Sequence, residues 1–145
     1  MKLFTIGFTK SSAQHFFCCL KKSGATKIID VRLDNISQLA GFAKRDDLRY
    51  FAKEICGMEY EHAEALAPTQ DILDEYKKHH GDWDVYAKQF NELMALRHIE
   101  LLDRDALAGG CLLCSEDKPH HCHRRLVAEY LKGKWLDVEA EIIHL

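Results

Sequence analysis

The chain lacks any apolar run long enough to cross a bilayer, which excludes a helical membrane protein. It also lacks a charge excess: 20 Lys and Arg stand against 23 Asp and Glu, a formal charge of −3. No global field therefore draws in a nucleic acid backbone, and any anion site must be local. The opening MKLFTIGF has one lysine and then a strand-like run, without the apolar core and small-residue cleavage site of a secretory signal. The expectation is a cytoplasmic protein with no membrane association. Internal repeats, low-complexity tracts and long linkers are absent too, so one domain is expected over residues 1–145.

Two phosphate-binding signatures are missing. Gly7 to Ser12 matches neither Gly-x-Gly-x-x-Gly nor the P-loop lysine pattern. Cys114 is followed six residues later by His120, not by the arginine of a thiol-phosphatase loop.

What is present is an ordinary globular balance, 47% hydrophobic and 30% charged, at a length that buries roughly two-thirds of the unfolded surface. In a reducing compartment its six cysteines read as core residues, metal ligands or reactive thiols, not as a disulfide framework.

Short β-rich runs alternate with amphipathic stretches. Residues 3–8 read as a strand, and Ser11 to Gln14 supplies a Ser-x-x-Gln cap for a helix ending at Gly24. Residues 27–32, KIIDVR, read as a buried parallel strand with a polar end. A loop over 35–41, a helix over 46–56 and a strand over 58–62 follow. Helices are expected over 70–79 and 83–98, the second with Trp83, Tyr86 and Phe90 filling core, as Phe16 and Phe17 do in the first helix. CLLC, 111–114, suits a central strand, Pro119 is expected to open a last helix ending before Gly133, and 141–145 reads as an edge strand. The pattern predicts a three-layer, Rossmann-like α/β fold with a mostly parallel sheet flanked by helices.

Such sheets bind ligands at the carboxyl ends of their strands. Thr9, Asp30, Arg32, Cys114, Glu116, Cys122, His123 and Arg124 all fall at or near those ends. They supply two carboxylates, two thiols, a base and two guanidinium groups. Asp30 and Glu116, if desolvated together, could divide acid and base roles. An ion pair between Asp30 and Arg32 that merely fixes the sheet edge is the competing reading.

Cys122, in the expected first turn of the last helix and between His121 and His123, is a candidate nucleophile, against the reading of a buried helix cysteine. Cys111 and Cys114 sit three apart in a strand and so face opposite sides, which argues against a redox pair. The cluster Cys114, His120, His121, Cys122, His123 has nitrogen and sulfur enough for zinc but lacks paired ligand knuckles, so no metal and no cofactor are assigned. Arg124 and Arg125, with Lys118, could hold a phosphate at the helix start, and Lys44 and Arg45 could reach over the rim from a loop. Solvated basic faces are the alternative for both.

The ordered motifs Thr5-Ile6-Gly7, Asp30-Val31-Arg32 and Cys114-x-Glu116 followed by Cys122-His123-Arg124 resemble the domain of unknown function 488 family through nearly the whole chain. The resemblance implies an α/β fold with a polar pocket formed by these motifs, and it implies no particular reaction. The reading reached is an enzyme, hydrolase- or transferase-like. Asp30, Glu116, Cys122 and His123 form its catalytic set, and Thr9, Arg32, Lys44, Cys114 and Arg124 hold an anionic substrate, phosphate-bearing and nucleotide-like or a nucleic acid. A non-catalytic binding module and zinc or thiol chemistry at Cys114 and Cys122 are the alternatives. No oligomeric state is assigned.

Overall fold

A computed structural model describes residues 1–36 and 40–145. The middle of the loop expected over 35–41 lies outside the described residues. Five strands form one sheet: β1 (Lys2–Ile6), β2 (Lys27–Asp30), β3 (Glu59–His62), β4 (Gly110–Leu113) and β5 (Glu141–His144). They lie in the order β3-β2-β4-β1-β5, and every neighbouring pair is parallel. β4 is central because its residues are apolar on both faces and wholly buried, as a strand covered from both sides requires. The 141–145 segment does form an edge strand, β5, beside β1.

Strand alternation sorts the core into two halves. Leu3, Ile29 and Leu112 pack on one face with α4 (Trp83–Leu96) and α6 (His123–Lys134). Phe4, Ile28, Cys111 and Leu113 pack on the other with α1 (Ala13–Ser23) and α2 (Arg45–Phe51). The result is a three-layer α/β fold. Cys111 and Cys114 fall in opposite halves, as a strand spacing of three predicts.

Local signals set several boundaries. Ser12 caps α1 by accepting from the His15 amide at 3.1 Å, and Gly24 ends it at φ +83°, a conformation that favours glycine. α3 (Gln70–Lys77) starts at Thr69, whose hydroxyl accepts from the Ile72 amide. The 46–56 stretch begins as α2, then widens into one π turn over Ala52–Cys56 before Gly57. A short α5 (Arg104–Leu107) precedes β4.

The last helix departs from expectation at both ends. Pro119 opens only a turn, closed by the Cys122 amide on the Pro119 carbonyl, and the helix proper starts at His123. Cys122 is therefore its extended N-cap residue (φ −137°, ψ 138°), not a member of the first turn. The helix also runs through Gly133, because Trp135 beyond it is buried and its indole N–H donates to the Glu100 carbonyl at 2.9 Å. Tertiary anchoring outweighs a glycine penalty of about 1 kcal/mol. Among the described residues, no helix is long and apolar enough to cross a membrane.

Candidate functional site

The neighbouring ends of β2 and β4 place Val31-Arg32 beside Cys114-Ser115, joined by the Val31 amide on the Leu113 carbonyl at 3.1 Å. The loop after β4 is tied in turn to the end of β1, where the Phe8 and Thr9 amides both donate to the Ser115 carbonyl, at 3.3 and 2.9 Å. This junction needs a glycine at position 7, since a Cβ there would lie 1.6 Å from the Glu116 carbonyl oxygen. Beneath the loop lies Arg124, fully buried, donating through NH1 to that same carbonyl at 2.5 Å and through Nε to the Thr5 hydroxyl at 3.3 Å. Arg124, expected to hold substrate, is here a strut between three segments of chain.

Asp30 is also fully buried and faces donors only. Its Oδ1 accepts from the Arg32 amide and from Arg32 Nε at 2.9 Å, and its Oδ2 accepts from Arg32 NH2 at 2.8 Å and from the Tyr60 hydroxyl. Burial, then the hydrogen bond to Asp30, push the Tyr60 hydroxyl well above the usual range, so it stays a donor. Asp30 does not border the cavity, and its carboxylate is committed to Arg32 and Tyr60. With Nε and NH2 committed, Arg32 keeps one buried nitrogen, NH1, with no hydrogen-bond partner among the described residues. Arg32 is among the residues that border the cavity, and its guanidinium lies over the Phe8 ring at 5.2 Å.

Three ionisable groups cluster on the cavity floor. Cys114 closes β4, Cys122 caps α6 and His123 begins it, and one ligand atom from each lies within 4.8 Å of the others. His123 Nε2 is 2.6 Å from the Val31 carbonyl. A carbonyl only accepts, so Nε2 carries the proton and Nδ1 is the free ring nitrogen, with Cys114 Sγ 3.6 Å from Nδ1 and 3.8 Å from Nε2. Burial lowers the His123 pKa, which keeps the ring neutral. A hydrogen bond from Cys122 lowers the Cys114 thiol against the cost of burial, while the same contact and burial raise Cys122.

The cavity has a volume of about 190 Å³. Tyr76, Trp83 and Tyr86 form its apolar wall, with the Trp83 indole stacked on the His121 ring at 4.9 Å between centroids. Glu116 borders it as well and pairs with Lys77 of α3 at 2.8 Å.

Of the sequence-derived residues, Arg32, Cys114, Glu116, Cys122 and His123 meet at this cavity. Thr9 does not: it is exposed and lines a separate pocket with Lys10, Ser11 and Asp117. Lys44 is exposed at the start of α2 and away from the cavity. Tyr76 and Lys77 were not anticipated, His121 was weighed only as a member of the Cys and His cluster, and Trp83 and Tyr86 were assigned to core alone. Helical periodicity marks an inward stripe, and it does not distinguish packing against a neighbour from packing around a void.

Comparison with known proteins agrees with the family resemblance. A family model described as "Domain of unknown function DUF488" matches residues 12–131, most of the 145-residue chain, and this span contains both the Asp30-Val31-Arg32 and the Cys114 to Arg124 segments. No curated protein and no solved structure matches the chain. The match covers the sheet centre and every wall of the cavity, and on it the chain belongs to the DUF488 family.

Proposed function

We propose that the chain is an enzyme, of hydrolase or transferase type, that takes a small phosphate-bearing substrate into the cavity at the ends of β2 and β4. The observation that carries this reading is Arg32. Its Nε and NH2 are spent on Asp30, and its buried NH1 has no hydrogen-bond partner among the described residues. A buried donor without a partner costs about 1–3 kcal/mol, and a ligand oxygen relieves that cost. Arginine held this rigidly suits phosphate or carboxylate better than lysine, because its fork is pre-organised.

The remaining groups suit catalysis beside that anion. Glu116 is a carboxylate on the cavity wall and takes the acid-base part, with Lys77 beside it to hold a second anionic oxygen. Cys114, Cys122 and His123 form the reactive floor. Tyr76 and Trp83 offer flat apolar surface to a ring, which favours a nucleotide-like substrate over a bare phosphate ester.

The test is binding followed by turnover. Titration of the wild-type protein with inorganic phosphate and with nucleoside monophosphates should show tighter binding of the latter. Arg32→Lys should weaken both by about tenfold or more, the loss expected for one charge-assisted hydrogen bond. Phosphate release or transfer from a panel of nucleotides should then fall with Glu116→Gln. Absence of anion binding sinks the reading outright. Binding with no turnover on any member of the panel replaces it with a ligand-binding module.

A further inference from the structure

We propose that Cys114, Cys122 and His123 hold one zinc-class divalent ion on the cavity floor, with a fourth coordination position open to the cavity. The inference rests on the reading of this cavity as a reaction site, but it uses none of the groups assigned there to the anion.

The donor set comes first. Two thiol sulfurs and an imidazole nitrogen match the borderline-soft preference of Zn²⁺, and three protein ligands with one position left for water or substrate is the pattern of catalytic sites, not of closed structural ones. The distances agree. With Zn–S at about 2.3 Å and Zn–N at about 2.0–2.1 Å, a tetrahedron has S···N edges of about 3.6 Å and S···S edges of about 3.8 Å. Cys114 Sγ and His123 Nδ1 are 3.6 Å apart, and all three atoms fall within 4.8 Å of one another.

Orientation is the independent observation. Metal-ligating histidines donate their other ring N–H to a carbonyl or carboxylate, which fixes tautomer and ring plane. His123 does this with the Val31 carbonyl at 2.6 Å, leaving Nδ1, 3.6 Å from Cys114 Sγ, as the free ring nitrogen for the metal. The Val31 carbonyl belongs to the Asp30-Val31-Arg32 segment, so this segment orients the histidine on the cavity floor.

The ligands are rigidly placed. Cys114 follows β4, whose neighbours β1 and β2 flank it on both sides, and His123 and Cys122 are fixed by the start of α6. Charge also closes: two thiolates and one Zn²⁺ sum to zero, so the filled site buries no net charge, which burying the thiolates alone would do. All three ligand residues line the cavity, so the fourth position faces it beside Arg32 and Glu116.

The experiment is equilibrium dialysis of the reduced, chelator-stripped full chain against Zn²⁺, followed by metal analysis. One ion per chain is expected. Replacement by Co²⁺ should give the near-ultraviolet absorption of thiolate-to-cobalt charge transfer. Cys114→Ser, Cys122→Ser and His123→Gln should each lose stoichiometric binding and that absorption, while Cys18→Ser and Cys19→Ser, on α1, retain both. Failure of the wild-type chain to bind Zn²⁺ overturns the proposal without recourse to any variant, even if a variant fails to fold. So does binding that survives the three substitutions but is lost with Cys18 and Cys19. Titration of the metal-free chain with inorganic phosphate in parallel reads the Arg32 site alone, so loss of metal binding with retained phosphate binding refutes this inference and leaves the proposed anion site standing.

Discussion

The carbonyl oxygen of Glu116 occupies the place where a side chain on Gly7 would begin. Two segments more than a hundred residues apart in sequence are thereby locked at backbone contact, and the loop that carries Cys114, Ser115 and Glu116 takes its position from β1 as well as from β4. Gly7→Ala should push that loop away, breaking the amide contacts of Phe8 and Thr9 with Ser115. A loss of about 1–3 kcal/mol or more is expected from such overpacking. Urea denaturation measures it, and an unchanged midpoint would show that the loop yields freely.

Asp30 answers a different test. Its carboxylate is buried in an ion pair with Arg32, so Asp30→Asn should act on stability, by about 3–5 kcal/mol, because a buried guanidinium loses its partner. Any loss of ligand binding should follow from the released Arg32. A variant with wild-type stability and no binding would return Asp30 to a direct role.

Tyr60 gives a pH signature. Its hydroxyl donates to Asp30 and accepts from the Asn35 amide at 3.0 Å, so Tyr60→Phe should cost about 1–3 kcal/mol near neutral pH. Burial and Asp30 raise its folded-state pKa above the value near 10 of an unfolded tyrosine. The folded chain then keeps a proton that the unfolded chain gives up, so this contribution is whole below about pH 10 and declines as pH rises beyond it. The stability gap between wild type and Tyr60→Phe should be flat from about pH 7 to 9 and shrink above about 10. A gap independent of pH across that range would contradict the donor role.

Trp83 should report ligand entry. Of the two tryptophans, Trp135 is sealed in the core and Trp83 is half-buried on the cavity wall. A nucleotide that stacks there should quench fluorescence in the wild type and not in Trp83→Phe. Equal quenching in both would place the ligand elsewhere.

Alkylation should follow the geometry of the thiols. Cys18 is exposed and should react first in the native chain. Cys111 is sealed between β1 and β2, and burial drives its thiol far above the usual range, so it should react last, at the rate of global opening. Mass spectrometry of timed samples reads the order. Modification of Cys111 as fast as Cys18 would contradict the packing of β4.

Composition and periodicity are local properties, and what depends on them was legible in the sequence. The alternation of short apolar runs with amphipathic stretches determined a parallel α/β sheet, and CLLC, apolar on both faces, determined that β4 is central. Ser12 and Gly24 fixed the ends of α1 because a cap satisfies its own helix. The rule that ligands meet strand carboxyl ends brought Arg32, Cys114, Glu116, Cys122 and His123 to one place. Tertiary structure alone decided which way each points. Asp30 turned inward because Arg32, just past β2, and Tyr60, on β3, satisfy it there, and Arg124 turned under the loop because the Glu116 carbonyl needed a donor. Trp83 and Tyr76 became a cavity wall because α3 and α4 leave space against the floor that Cys114, Cys122 and His123 form. Partner choice for a buried polar group is set by residues distant in sequence, and no pattern along the chain records it.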